Sequence, residues 1–396
     1  MSLSVQSGER FSEAIEQASG DKLLTRRQAY FLIEVEHEKL ILDLMRAASR
    51  LCDRAKNSTV TFSKKVFIPL TNICRDRCRY CTFRKDPGET GAHTMSPEEV
   101  LAVAEAGEKL GCKEALFSLG DRPEISFPEV REQLRRLGHE TTLSYLKEMC
   151  RRILGETRLL PHSNPGLMRR HDLEDLKPFN ASMGMMLESV SERLMLSGKA
   201  HDLAPDKHPR LRLRTLEEAG RLRIPFTTGI LIGIGETLAE RVDSLFAIRD
   251  LHQRFGHIQE VIIQNFRAKS TIPMANHQEP SLLDLAKTIA VARLVLGGEM
   301  NIQAPPNLSP GKYPFLLKAG VNDWGGISPL TIDHINPEAP WPHIKRLREE
   351  TTHAGFTMRE RLAIYPEFTQ RDGFLASPAR ERVNSLRDEE GYARPY

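Results

Sequence analysis

The spacing of hydrophobic positions along this chain changes near residue 60. Before that point Phe31, Leu32, Val35, Leu40, Ile41, Leu44, Met45 and Ala48 recur mostly every three or four residues, the signature of one helix face. The charged run Glu36, His37, Glu38 and Lys39 breaks this stripe, which predicts two helices or one helix with a polar turn. From Val66 onward, short β-branched runs alternate with longer amphipathic segments, the pattern of repeated βα units. Strands are expected at 66–70, 115–119, 158–162, 180–187, 225–232, 259–265, 300–304 and 326–330. Ser96 followed by Pro97, Glu98 and Glu99 reads as a helix start, with Ser as N-cap and acids in the first turn, and Gly111 as its stop. A second helix is expected near 281–297, after Pro280 and before Gly298. The predicted class is α/β, a TIM-type (β/α) barrel, complete or partly open, with an N-terminal helical extension. Its expected parts are a helical extension at 1–60, a barrel at 61–368, and a charged, loosely ordered tail at 369–396.

Composition narrows the functional classes. The 396 residues are 40% hydrophobic and 28% charged, enough apolar content for a substantial core. Acidic and basic residues intermingle and the net charge is only +3, which argues against nucleic acid as a partner. No apolar run approaches the ~20 residues of a membrane span, and the N-terminus lacks the basic and apolar regions of a signal peptide. Of the six cysteines, Cys52, Cys112 and Cys150 are scattered through the sequence, unlike a small secreted disulfide framework. A reducing, cytoplasmic setting is therefore expected.

The other three cysteines carry the chemistry. Cys74, Cys78 and Cys81 follow a predicted strand with C-x3-C-x2-C spacing and Tyr80 before the last of them. Three thiolates form a soft-ligand site suited to an iron–sulfur cluster or to zinc. A [4Fe–4S] cluster on three cysteines keeps one iron open, the arrangement that separates a reactive metal site from a structural one. A zinc knuckle would need a fourth ligand, for which His93 is the nearby candidate. Arg75, Arg77, Arg79 and Arg84 are expected to offset the charge of the thiolates. The motif resembles that of the radical S-adenosylmethionine (SAM) superfamily, in which SAM occupies the open iron and one electron releases a 5′-deoxyadenosyl radical. The resemblance implies a barrel of the radical SAM type, a [4Fe–4S] cluster held by Cys74, Cys78 and Cys81, and SAM as cofactor.

Further motifs fall at predicted strand ends, where a TIM-type barrel gathers its functional groups. Residues 120–124, Gly-Asp-Arg-Pro-Glu, stand where the superfamily commonly has a Gly-Gly-Glu-Pro-like element. Residues 229–236 resemble its G-x-I-x-G-x-x-E element, with Leu231 in the Ile position and glycines expected to let the backbone approach adenine. The resemblance implies SAM contacts from Tyr80, Phe83, Gly120, Asp121, Glu188, Gly229, Leu231 and Gly233. The glycines do not fit the G-x-G-x-x-G of a dinucleotide fold. The polar, proline-containing stretch 198–214 is a candidate lid over the barrel mouth.

Read together, residues 67–83, 116–123, 161–166, 225–236 and 264–269 resemble one family, 7,8-didemethyl-8-hydroxy-5-deazariboflavin (FO) synthase subunit 1, over about residues 60–368. The resemblance implies a radical SAM lyase that closes the deazaflavin ring of coenzyme F-420 with loss of ammonia. Its substrate would be a hydroxybenzyl–ribityl-uracil adduct supplied by FO synthase subunit 2, and an external electron donor is required. Substrate contacts are expected from His162 and Asn164 after the third strand, and from Asn265, Arg267, Asn322, Asp323 and Asp333 near later strand ends. No catalytic acid or base is assigned. The alternatives are a related radical SAM enzyme acting on an aromatic or tyrosine-derived substrate, and, in another class, an iron–sulfur electron carrier or a zinc-stabilised binding protein.

Overall fold

The computed structural model describes residues 5–19 and 22–395. Its centre is a parallel sheet of strands β1 (Thr59–Thr71), β2 (Glu114–Leu119), β3 (Leu160–Asn164), β4 (Ser182–Gly184), β5 (Phe226–Ile232), β6 (Ile258–Asn265), β7 (Ile302–Gln303), β8 (Asp323–Ile327) and β9 (Thr357–Arg361). Pairing runs in order from β2 to β8, then to β1, and β1 also pairs with β2, so strands β1–β8 close into a barrel. Helices cover the outside, and the crossovers between neighbouring parallel strands demand this βα alternation.

The helix signals in the sequence act as capping chemistry predicts. Ser96 accepts from the Glu99 N–H and Glu99 reaches back to the Ser96 N–H, opening the helix Pro97–Lys109 with a capping box. The helix Leu282–Leu296 is buried from Leu285 onward. It needs no polar face because the helices Arg26–Ile33 and Glu38–Lys56 cover it on the side away from the barrel. The N-terminal extension is thus an added helical layer, Val5–Ser19, Arg26–Ile33 and Glu38–Lys56, broken near the predicted polar run.

Three features differ from the sequence expectation. Strand β1 begins at Thr59, earlier than expected, and its first half pairs with β9, a strand the sequence pattern did not reveal. Strand β8 lies at Asp323–Ile327 instead of 326–330, and Asn322 and Asp323, expected near the mouth, stand at its N-terminal start, at the base of the barrel. The tail, expected to be loosely ordered, contains the helix Ser377–Leu386. Phe374, Leu375, Ala379, Val383 and Leu386 are buried with Leu160, Ala181 and Leu362–Tyr365. Few apolar residues suffice here because they all meet one surface, the underside of the barrel. Residues 361–365 and this helix therefore give the barrel a floor.

Candidate active site at the barrel mouth

The loop after β1 is held in place mainly by its backbone. The Thr71 and Thr94 hydroxyls share a hydrogen bond (2.9 Å), and Asn72 bonds the Gly91 carbonyl and the His93 N–H. The N–H groups of Arg75, Arg77 and Arg79 donate to the carbonyls of Asp121, Leu203 and Ala200. The stretch 198–207 thus braces the cysteine loop from outside, and residues 209–214 already belong to the helix Pro209–Arg221. Two of the four arginines tie into the brace, Arg75 with Asp206 and Arg79 with Asp202, and the other two, Arg77 and Arg84, both pair with Asp86 at the end of the loop itself. They are matched by carboxylates and do not serve chiefly as counter-charges to the thiols.

Cys74, Cys78 and Cys81 line one cavity of about 340 Å³ that descends from this loop into the barrel. All three are free thiols. The Asp121 N–H donates to the Cys74 Sγ at 3.2 Å. Burial pushes the Cys74 thiol up to about 12, with Asp76 and Asp121 adding to the effect. Burial also raises Cys78 well above the usual thiol range, and Lys207 offsets part of that rise. Such thiols become ligands when a metal replaces their protons, and three soft donors at the rim of an open cavity fit a cluster with one exposed iron. His93 pairs with Glu99 and is half exposed, so it does not complete a zinc knuckle. Cys52, Cys112 and Cys150 are buried away from the cavity, Cys150 against Ser163.

Several of the expected SAM-contacting residues share the cavity wall: Tyr80, Phe83, Gly120, Asp121, Glu188 and Leu231. The Tyr80 hydroxyl is 3.0 Å from His201 Nε2. Gly120 packs so tightly that a Cβ there would fall 2.0 Å from the Ile73 carbonyl oxygen. The Asp121 carboxylate accepts from the Leu167 N–H and pairs with Arg122, which also reaches Asp206. Its carboxyl is pushed up to about 7, by burial first and then by Asp206 and Asp76. Glu188 has a left-handed backbone (φ 66°), fixed by hydrogen bonds to Gly229 and Leu231 of β5. Burial would raise the Glu188 carboxyl, but Lys207 at 2.5 Å and the nearby Arg212 hold it below the usual range.

Gly229 in β5 and Gly233 just after it have a different role from the one expected. A Cβ on Gly229 would lie 2.2 Å from the Ile262 carbonyl oxygen, and one on Gly233 would strike Pro280 at 2.3 Å. Both make room for neighbouring protein and do not line the cavity. Glu236 accepts the N–H groups of Gly233 and Ile234 and is anchored by Arg241, so this element is a braced turn.

The expected substrate-binding residues divide in the same way. His162, Asn164 and Asp333 line the cavity. Asn265 does not, because side chains alternate along β6 and it is Gln264 and Phe266 that face inward. Arg267 sits outside the cavity, paired with Glu279 and donating to the Leu308 carbonyl. Asn322 is buried at the barrel base against Arg293, Asn301 and the Ile302 N–H. Asp323 is locked there by Arg361, at 2.7 and 3.0 Å. The sequence reading also missed groups that do line the cavity: Lys207 on the bracing segment and Arg212 on the helix after it, Lys65, Glu114, Glu260, Gln303 and Arg361 lower down, and Trp341, stacked on Phe67 at 5.0 Å. A signal was present, since charged residues inside apolar strands, such as Lys65 and Glu260, are rarely buried without a partner or a purpose.

Comparison with known proteins assigns this architecture. Residues 68–248 match the Radical SAM superfamily. The chain is 50% identical over 335 residues to a protein of Methanopyrus kandleri named 7,8-didemethyl-8-hydroxy-5-deazariboflavin synthase, covering 85% of this chain and 100% of that one. It is 50% identical over 368 residues to FO synthase of Streptomyces avermitilis and 53% identical over 336 residues to FO synthase of Mycobacterium tuberculosis. It covers 43% and 39% of those longer proteins, and they cover 90% and 83% of this chain. Among solved structures, methylornithine synthase (PylB) superposes with a TM-score of 0.67 at 19% identity, over 87% of this chain and 97% of that one. The hydrogenase maturase HydG gives 0.72 at 18% identity, over 89% and 76%; these two likenesses concern the fold. The chain belongs to the 7,8-didemethyl-8-hydroxy-5-deazariboflavin synthase family of the radical SAM superfamily.

Proposed function

We propose that this family member, a radical SAM enzyme of coenzyme F-420 biosynthesis, catalyses the second half-reaction of deazaflavin formation. The substrate is 5-amino-5-(4-hydroxybenzyl)-6-(D-ribitylimino)-5,6-dihydrouracil, and the product is 7,8-didemethyl-8-hydroxy-5-deazariboflavin, formed with loss of ammonia. The observation that carries this reading is kinship over the whole length of the Methanopyrus kandleri synthase, joined to a cysteine loop at the rim of a deep cavity. The chain spans 43% and 39% of the length of the two FO synthases it matches, and supply of the adduct is part of the proposal, assigned to FO synthase subunit 2.

Cys74, Cys78 and Cys81 would hold the [4Fe–4S] cluster. Bound there with SAM, the cluster supplies the electron that generates a 5′-deoxyadenosyl radical. The chain's own contribution is positioning and exclusion of water. Tyr80 within the cysteine loop, held by His201, and Glu188 beside it, held by Lys207, are the preset SAM contacts of this reading. Segment 331–341 covers the mouth: Thr82 donates to the Ile335 carbonyl, Lys269 bonds Asn336, and Trp341 stacks on Phe67. An external one-electron donor and a cytoplasmic setting belong to the same proposal; among the described residues no helix is long and apolar enough to cross a membrane.

The test uses anaerobically purified, cluster-loaded protein with SAM, dithionite and adduct made by the partner enzyme. Adduct-dependent 5′-deoxyadenosine together with a fluorescent deazaflavin is expected. Deoxyadenosine without deazaflavin would retain radical chemistry and refute this substrate.

A further inference from the structure

The interior of a TIM-type barrel is normally filled by layers of branched apolar side chains. Here the lower part of the cavity is walled by Lys65, Glu114, His162, Glu260, Gln303 and Arg361. Its charges are already matched. Lys65 pairs with Glu114 at 2.6 Å, and Arg361 bridges Asp323 and Glu260. Cations so neutralised do not make an anion site, since a phosphate placed there would meet Glu114 and Glu260.

What remains available is neutral hydrogen-bonding capacity. The one hydroxyl hydrogen of Ser182 goes to the Ala363 carbonyl, so His162 Nδ1 must donate to Ser182 Oγ at 2.7 Å. The imidazole is neutral, because burial lowers it to about 4. His162 Nε2 is therefore a bare acceptor on a ring that lines the cavity. Gln303 is buried, lines the same space and has no side-chain hydrogen bond among the described residues. Lys65 Nζ spends one of its three N–H groups on Glu114. Glycines make room for all three side chains. A Cβ on Gly326 would lie 2.0 Å from Lys65 Cε, one on Gly325 would lie 2.1 Å from Gln303 Nε2, and one on Gly184 would lie 3.0 Å from His162 Nε2. Polar atoms that face the cavity with hydrogen-bonding capacity left over are available to whatever fills it.

We infer that the floor of the barrel is a polyol subsite that binds the ribityl chain of the substrate, so that the ring system stands upright toward the cysteine loop. The inference rests on the functional reading above and deepens it. Donor and acceptor groups on several strands suit a row of hydroxyls, each of which both donates and accepts. The aromatic surfaces, Phe67 stacked on Trp341 and Phe83, lie in the upper cavity with the cysteines, where a planar heterocycle would rest.

The experiment is a fluorescence titration of cluster-loaded protein with the ribityl deazaflavin product and with its analogue carrying N-methyl in place of the ribityl chain. Wild type is expected to bind the ribityl compound at least tenfold more tightly. Gln303→Met should weaken the ribityl compound about tenfold and leave the methyl compound unchanged, the size expected for one lost buried hydrogen bond. His162→Leu removes a separate acceptor and should do the same, so either variant suffices if the other fails to fold. Equal binding of both compounds by wild type, or equal weakening of both by the variants, overturns the inference while turnover of the adduct keeps the functional reading intact. Binding of neither compound together with no deazaflavin formation overturns the functional reading, and the inference with it.

Discussion

Gly120→Ala should separate the placement of the cysteine loop from the stability of the barrel. The added Cβ would lie 2.0 Å from the Ile73 carbonyl oxygen, 2.6 Å from the Ile73 carbonyl carbon and 2.8 Å from Cys74 Cα, whereas contacts under 3.0 Å essentially never occur. All three atoms are backbone, so no rotamer change relieves the overlap, and the loop must move by at least about 1 Å. Metal–ligand distances hold to within ~0.2 Å, so a shift of this size at Cys74 exceeds the tolerance of a cluster several-fold. Overpacking of this kind costs about 1–3 kcal/mol. A chain of 396 residues unfolds with an entropy of about 0.8 kcal/mol/K, so Tm should fall by only about 1–4 °C. Iron and sulfide per chain after anaerobic reconstitution should instead fall by more than half. Gly229→Ala supplies the contrast: its Cβ would meet Ile262 backbone in the β5–β6 seam, so it should lose stability but keep its iron. Full iron and sulfide in Gly120→Ala would show that this contact does not set the position of Cys74, and the account of the loop would be wrong.

Other predictions address the charges and the floor. Arg361→Leu leaves Asp323 and Glu260 buried without their shared cation and should cost about 3–5 kcal/mol by chemical denaturation, a loss partly recovered in the Arg361→Leu/Asp323→Leu double variant, where Glu260 alone still lacks it. Lys207→Met strips Glu188 of its partner and should weaken SAM binding by the cluster-loaded protein about tenfold, read by equilibrium dialysis. Burial lowers His162 to about 4 and His257 to about 3, both below their unfolded value near 6.5. Between those values and 6.5 the unfolded chain binds the extra protons, so stability is complete above about pH 6.5 and falls as pH drops toward 4. His162→Gln should flatten the decline of Tm across that window. A decline as steep as that of wild type would count against the buried neutral histidine.

The cysteine loop could be read from the sequence because its chemistry is local. Three thiols within eight residues after an apolar strand carry their meaning without reference to the rest of the chain. The βα alternation was equally legible, since periods of two and of three to four residues report burial one element at a time. The capping box at Ser96 and Glu99 is likewise a contact between near neighbours. Legibility failed wherever a residue's meaning depends on a distant partner. Gly229 and Gly233 look like ligand-facing glycines in sequence, but their missing side chains accommodate Ile262 and Pro280. Asn322 and Asp323, expected near a strand end at the mouth, stand instead at the start of β8, because the glycine pair 325–326 lies inside that strand, where it makes room for Gln303 and Lys65.

By itself, then, the sequence determined the barrel class, the cysteine triplet and the kind of cofactor that triplet suits, because these follow from short-range spacing and side-chain chemistry. Tertiary structure alone decided that β9 and the tail close the bottom of the barrel, that segment 198–207 braces the cysteine loop, and that the cavity floor is polar. Each of these joins residues far apart along the chain: Arg361 to Asp323 and Glu260, Arg77 to Leu203, and Ser182 to Ala363. A charged side chain buried in a strand costs too much to stand alone, but the sequence does not say which remote partner neutralises it. Only the folded chain brings that partner within reach.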